Sequence, residues 1–224
     1  MISFHDIAKG SDHLVKFLHV ATGLRVEFPA FITEFNDSIN VSWGSEQIFG
    51  RTDPIKPYQG TTRNISIGFD VLSPTLEKAR ENMQNYSKLV QMMYPVYSEP
   101  LAGAQGKGRV IKAPPLIRLQ LMNLVQNTSL ESNEKGLLGC IGGFSFNPNR
   151  ESGFFDVEGE LLSKNFNISF SFEPQHEEPM GFQNNQFVNN QFPYGVNVPA
   201  EQRDTNVATN SDVIKSRQNN ILGN

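Results

Sequence analysis

The stretch Asn64-Ile-Ser-Ile-Gly-Phe-Asp-Val71 puts Ile65, Ile67, Phe69 and Val71 on one face of an extended chain and Asn64, Ser66, Gly68 and Asp70 on the other. Side chains alternate across a strand, so this reads as a strand of an antiparallel sheet with one face buried. Directly before it runs Trp43-Gly-Ser-Glu-Gln-Ile-Phe-Gly-Arg-Thr-Asp-Pro-Ile-Lys-Pro-Tyr-Gln-Gly-Thr-Thr-Arg63, punctuated by Gly50, Pro54, Pro57 and Gly60 and therefore read as a loop. Within it Glu46, Arg51, Asp53, Lys56 and Arg63 bring both signs of charge close to Trp43, Phe49 and Tyr58. Charges mixed with aromatics suit a protein contact better than a solvated linker. Asp53 stands before Pro54, where its side chain can open a turn with Arg51 or Arg63 as charge partner.

Working outward, Val26, Phe28, Ala30 and Ile32 share a face over Arg25 to Phe35, and Pro29 makes this an edge strand. After Val71, Ser73-Pro74 offers an N-cap followed by proline in the first turn. Leu76, Ala79, Met83, Tyr86, Val90 and Met93 then recur at helical steps until Pro95, which predicts one amphipathic helix over about 74–94. Residues 98–115 are a glycine- and proline-rich connection. Its Gly106-Lys107 lacks both the preceding glycine and the following Ser or Thr of a phosphate-binding loop, so that reading is rejected. Ile117, Leu119 and Leu121 alternate with polar residues, Leu137 to Phe146 is an apolar strand, and Phe154 to Phe172 closes the domain with Phe166, Ile168, Phe170 and Phe172 on one face. Strands, one helix, then strands make an α+β, mainly β architecture: an antiparallel β-sandwich or split barrel with one flanking helix, spanning residues 1–174.

Beyond Pro174 the composition changes. Residues 175–224 are rich in Asn and Gln, Asn184-Asn-Gln-Phe187 recurs as Asn189-Asn-Gln-Phe192, and neither the strand nor the helix period survives. Such a segment reads as an extended arm whose order comes from burying Phe182, Phe187, Phe192, Tyr194, Val213, Ile214, Ile221 and Leu222 on partners.

The 224 residues, 38% of them hydrophobic, suffice for one sizeable core. A single cysteine, Cys140 in an apolar run, excludes an internal disulfide framework and reads as strand packing rather than a nucleophile. His5, His13 and His19, three of the four histidines, lie at irregular spacing around an apolar segment that reads as either strand or short helix, a pattern of packing rather than metal ligation. No apolar run is long enough to span a bilayer and the first residues lack the order of a secretion signal, so a soluble chain without membrane insertion is expected. A net charge of −4 argues against a dedicated nucleic-acid binder, while mild acidity suits the wall of a conduit through which DNA passes without sticking.

No paired carboxylates, nucleophile with base, or metal-ligand cluster stands out, so no catalytic, cofactor or metal site is assigned and the chain is read as a non-enzyme. Glu158 and Glu160 share a strand face as a hydrolase pair would, but surface carboxylates of many sheets do the same. The candidate interaction residues are Trp43, Arg51, Asp53, Tyr58, Arg63, Phe187, Phe192 and Tyr194. A second reading makes Trp43, Tyr58 and Tyr194 the stacking platform of a glycan-binding sandwich.

Gly50-Arg-Thr-Asp-Pro54, Tyr58, Thr61 to Arg63 and the alternating strand Ile65 to Val71, in that order, resemble tail tube and baseplate hub or tube-initiator proteins of tailed bacteriophages, chiefly contractile ones. The resemblance covers about Val26 to Phe172. It implies paired antiparallel sheets with one helix, protomers joined edge to edge into a ring, normally of six, around a DNA channel, and a place in the virion after assembly in the host cytoplasm. The long arm then implies a baseplate or tube-initiation ring with other tail, baseplate or hub proteins as neighbours.

Overall fold

The computed structural model describes residues 14–29, 31–98, 110–127, 135–157, 159–184, 186–189 and 191–196. His5, His13, Gly106-Lys107, Glu158 and the apolar residues from Val213 to Leu222 lie outside them.

Seven strands form one antiparallel sheet: β1 (Leu14–His19), β2 (Arg25–Pro29), β3 (Phe31–Trp43), β4 (Tyr58–Leu72), β7 (Ile117–Leu121), β8 (Leu137–Pro148) and β11 (Asn165–Pro174). Their order is β2-β1-β7-β8-β11-β4-β3. The helix α1 (Leu76–Met92) follows β4, and three pairs of short strands complete the set: β5 (Val96–Tyr97) with β6 (Ile111–Ala113), β9 (Phe154–Val157) with β10 (Glu160–Ser163), and β12 (Phe182–Gln183) with β13 (Gln186–Phe187). Among the described residues the chain is mainly β with one helix, as its alternation requires.

The sheet is rolled. Strands β2 and β3 occupy opposite edges, yet one residue separates them in sequence. Consecutive Cα atoms are about 3.8 Å apart, so Pro29 and Phe31 lie within about 7.6 Å and the two edges must meet at that corner. Ring contacts say the same: β2 and β4 would be about 24 Å apart in a flat sheet, whereas Phe28 and Phe69 have ring centroids 6.0 Å apart. Phe17 on β1 reaches Phe170 on β11 at 5.7 Å across the interior. The sequence reading of Arg25 to Phe35 as a single edge strand is thereby corrected. It is two edge strands, β2 and β3, that the rolled sheet brings near each other without pairing them.

The core follows the alternation. Register pairs Phe166 with Val71, Ile168 with Phe69, Phe170 with Ile67 and Phe172 with Ile65, so every inward position of β4 faces an inward position of β11. On the far side Val15 pairs with Phe28 and Leu121, and Phe17 with Val26 and Leu119; all of these residues are buried. In β8 the inward positions change parity, from Leu137 and Gly139 to Phe144 and Phe146, because the pairing with β11 slips by one residue between Ser169 and Ser171 beside Gly142 and Gly143. Gly143 has φ +57°, the left-handed backbone such a bulge uses.

Helix α1 starts at Thr75, not Ser73. The Ser73 hydroxyl is buried and accepts a hydrogen bond from Asn82 Nδ2 at 2.9 Å, while the Thr75 hydroxyl accepts from the Lys78 backbone N–H at 3.3 Å. The helix packs on β2 and β10, and its Tyr86 ring lies 4.4 Å from Phe146 and 6.4 Å from Phe166. The segment Phe154 to Phe172 is likewise not continuous: β9 and β10 form a tight hairpin before β11 begins.

Candidate interaction surface

Strands β3 and β4 form a hairpin longer than the core it belongs to. The sequence reading placed Tyr58 to Arg63 in a loop; in the structure they extend β4, and only residues 44–57 connect the two strands. Pairing runs unbroken from Glu34 opposite Gly68 to Ser42 opposite Gly60. Positions that pair share a face, so the inward row of β4 continues outward from Ile65 through Arg63 and Thr61, matched on β3 by Asp37, Ile39 and Val41. The core ends at Ile65. Beyond it Ile39, Val41, Trp43 and Tyr58 are about half exposed on that same face. The opposite face is polar, with Asn40 Nδ2 donating to Ser38 Oγ and Ser42 Oγ donating to Gln59 Oε1.

At the boundary between core and projection sits an ion pair. Arg63 donates from Nε to Asp37 Oδ1 at 2.9 Å and from Nη2 to Asp37 Oδ2 at 2.6 Å, with both side chains about 5% exposed or less. A cation at an inward strand position is costly unless a carboxylate meets it in a bidentate geometry, and Asp37, one pair further in, does so.

The first part of the Asn/Gln-rich segment covers this pair. Residues 175–196 leave β11 and run back over the same chain as a strap. Gln175 N donates to Leu138 O at 2.7 Å. Glu177 takes a bidentate hydrogen bond from Arg118, both distances 2.7 Å. Phe192 lies 5.2 Å under the Arg63 guanidinium with the His176 ring edge-on at 5.5 Å, and the Tyr194 hydroxyl donates to Asp37 Oδ2 at 3.0 Å. The sequence reading assigned order in this segment to partners alone. For the described residues between 175 and 196 the chain itself supplies contacts that hold the segment.

The charges respond to this packing. Burial would raise the Asp37 carboxyl, but the hydrogen bonds and charge of Arg63, then the Tyr194 hydroxyl and His176, hold it below the usual carboxylate range. His176 is lowered by desolvation and by the Arg63 charge against a smaller pull from Asp37. Tyr194 is raised by burial and by its bond to the Asp37 carboxylate. Glu177 is lowered by its hydrogen bond from Arg118, against the opposing effect of burial.

The candidate residues thus fall into groups. Arg63 and Tyr194 converge on Asp37, and Phe192 lies against Arg63. Trp43 and Tyr58 pair across the hairpin with rings 5.5 Å apart and nearly perpendicular, and the Tyr58 hydroxyl is 2.8 Å from Thr61 Oγ1. Arg51 and Asp53 lie exposed near the hairpin tip, away from the Asp37 pair, next to a wholly exposed Phe49. Phe187 packs on Phe182 within the strap, ring centroids 4.6 Å apart. Asp37, His176, Glu177 and Arg118 were missed; the signal for Asp37 was the inward parity of Arg63, which demands an acidic partner.

The other chemistry stays dispersed. Glu160 opens β10 and pairs with Arg80 at 2.9 Å. His19 ends β1, buried, with Nδ1 2.8 Å from Thr22 Oγ1 and its pKa lowered by that burial. Cys140 is half-buried and accepts from Gln175 Nε2 at 3.7 Å. Among the described residues no group of His, Cys, Asp or Glu is arranged to hold a metal ion, and no helix is long and apolar enough to cross a membrane.

No protein-family model matches the chain, nor does any curated protein. Solved structures similar to parts of it include the Dit (gp 19.1) protein of SPP1, described as a paradigm of the hub adsorption apparatus in phages infecting Gram-positive bacteria, at 10% identity and a TM-score of 0.34 over 72% of this chain and 49% of that one. The chain therefore spans about half the length of that protein. Another is the baseplate of the anti-feeding prophage, determined with six-fold symmetry, at 8% identity and a TM-score of 0.26 over 71% of this chain and 87% of that one.

Proposed function

We propose that this chain is a structural component of a bacteriophage tail, set in a baseplate or tube-initiation ring, whose copies join through the β3 edge and the tip of the β3–β4 hairpin. The observation that carries this reading is the hairpin itself. Among the described residues β3 pairs with β4 alone, so beyond Phe31 its other side presents backbone N–H and C=O groups from Ile32 to Trp43. Edges of monomeric proteins are normally blunted by short strands, proline or charge. The opposite edge, β2, is five residues long, ends in Pro29 and carries exposed Arg25 and Glu27. Strand β3 is long, and its outer half carries Ile39, Val41 and Trp43 toward a tip bearing Ile48 and Phe49. An unblunted edge and an exposed apolar tip are an assembly interface in waiting.

The resemblance carried by Gly50 to Pro54 and the strand after it supplies the setting: a ring, normally of six, around a DNA channel, with tail or baseplate proteins above and below, formed in the host cytoplasm and carried in the virion. The net charge of −4 suits a wall that DNA must pass. Native mass spectrometry of the purified full chain, alone and with its tail neighbours, tests the reading. Ring-sized homo-oligomers or incorporation into a larger complex are expected; a strict monomer under both conditions contradicts it.

A further inference from the structure

Between helix α1 and strand β10 lies an open cleft of about 500 Å³, which shares no residue with the strap or the projecting hairpin. We propose that it receives the β3–β4 hairpin tip of a second copy of this chain, with Phe49 as the inserted side chain. The inference rests on the assembly reading and adds the surface of the neighbour that the tip meets.

The cleft has an apolar base and one charge left over. Leu162 is buried and Met83 half-buried at its base, and Leu161 stands 63% exposed on the β10 wall. Arg80 and Glu160 neutralise each other. Lys88 on the helix wall is exposed and, among the described residues, meets no carboxylate; the remaining polar groups on that wall are neutral. A fitting occupant brings apolar surface and one acid. The hairpin tip has that make-up. Beyond its last backbone bridge, Glu46 with Ile55, residues 47–54 carry an exposed Ile48, a wholly exposed Phe49 and an exposed Asp53. In the docked pair Ile48 and Phe49 lie on Leu161, Asp53 faces Lys88, and Arg51 stays in water.

The topology makes this contact intermolecular. The β10 wall leads through Lys164 into β11, whose Asn165 pairs with Leu72 at one end of β4. The tip lies beyond Tyr58 at the other end, about 45 Å away along the strand. A copy therefore does not reach its own cleft with its own tip. Each gives one tip and receives one, the heterologous contact from which a ring of identical subunits is built. Burying one Phe covers only about 150–250 Å², against about 800 Å² per partner in a stable interface, so the β3 edge has to supply most of the area.

Variants of the full chain separate this docking from the β3-edge reading. Leu161→Asp changes one exposed cleft residue, so its thermal midpoint should match the parent. The concentration at which it forms oligomers, read by native mass spectrometry, should rise at least about tenfold. In a Cys140→Ser background, which removes the chain's one cysteine, Asp53→Cys and Lys88→Cys proteins are mixed and oxidised with diamide. A disulfide-linked dimer of the two is expected, in clear excess over what either protein gives alone. Parental oligomerisation of Leu161→Asp, or no mixed disulfide while the parent assembles, overturns the docking and leaves the β3 edge standing. Protection of Lys88→Cys from alkylation only when another tail protein is added assigns the cleft to that protein and overturns the docking as well. A strict monomer throughout removes both readings.

Discussion

Arg63 and Asp37 face each other across the β3–β4 hairpin with Nη2 and Oδ2 2.6 Å apart, where the hydrophobic core stops and the projection begins. Nearly all of both side chains is withdrawn from water. The pair fixes the base of the hairpin and forms the floor on which the strap lies.

Arg63→Ala or Asp37→Ala should therefore cost about 3–5 kcal/mol, because each leaves a buried charge unmatched. Replacing both with Met and Leu should cost clearly less than the sum of the two single changes. Urea denaturation of the four proteins measures this, and additive losses would show that the two side chains do not act as a unit.

The strap should be ordered in the isolated chain. Amides bonded within it or to the barrel, such as Gln175 N to Leu138 O and Gly195 N to Gln191 O, should exchange more slowly than unstructured peptide. Glu177→Gln removes the charge on the Arg118 clasp and should raise exchange across 175–196. Tyr194→Phe removes a hydrogen bond to a carboxylate, about 1.5–3 kcal/mol, and should act mainly at the far end. Uniformly fast exchange in the parent protein would return the whole segment to the status of a partner-dependent arm.

Acid should loosen the strap in two stages. His176 has its folded pKa below the ordinary value of about 6.5, so the unfolded state takes up its proton first and the stability it contributes is full above pH 6.5. That stability is lost as pH falls from there through the folded pKa. Asp37 and Glu177 are likewise lowered, and their contributions disappear only at more acid pH, as it falls below the ordinary carboxylate range. Amide exchange of the strap from pH 7.5 to 3 should show both stages, and His176→Gln should remove the first while sparing the second. His19, also lowered, lies in the barrel and should affect global unfolding in both proteins alike.

Gly139→Ala should destabilise the barrel. An added Cβ would overlap the Glu173 carbonyl and stand 2.7 Å from the Phe172 ring, neither of which is the loose end of a flexible side chain. Overpacking of this kind costs about 1–3 kcal/mol. Gly60→Ala, which meets nothing within 4 Å, should leave the thermal midpoint nearly unchanged by comparison.

The stretch Ile65 to Val71 of β4 and its partner Phe166 to Phe172 of β11 were legible because their alternation is strict and every inward residue there is apolar. Closure was not. Strands β2 and β3 read as one alternating edge strand, and nothing in local periodicity says that Arg25–Pro29 and Phe31–Trp43 occupy opposite edges of a sheet. The parity change in β8 was hidden for a related reason: a bulge beside paired glycines inverts which residues face inward without altering composition. The helix cap moved two residues because Ser73 was already engaged by Asn82, a tertiary contact no capping pattern records. In the candidate site Arg63 was read as the end of a loop, because the apolar alternation stops at Ile65, and Glu177, Phe192 and Tyr194 touch the barrel at irregular spacing, which leaves no period to detect.

The central claim is that the outer edge of β3 joins copies of the chain, and amide exchange across residues 31–43, in isolated protein and in the assembled species, tests it most directly. Slow exchange on assembly alone of those Ile39 to Trp43 amides that point away from β4, abolished together with the oligomer by Val41→Lys with Phe49→Asp, is the predicted result. An assembled species in which β3 exchanges as it does in the monomer would contradict it.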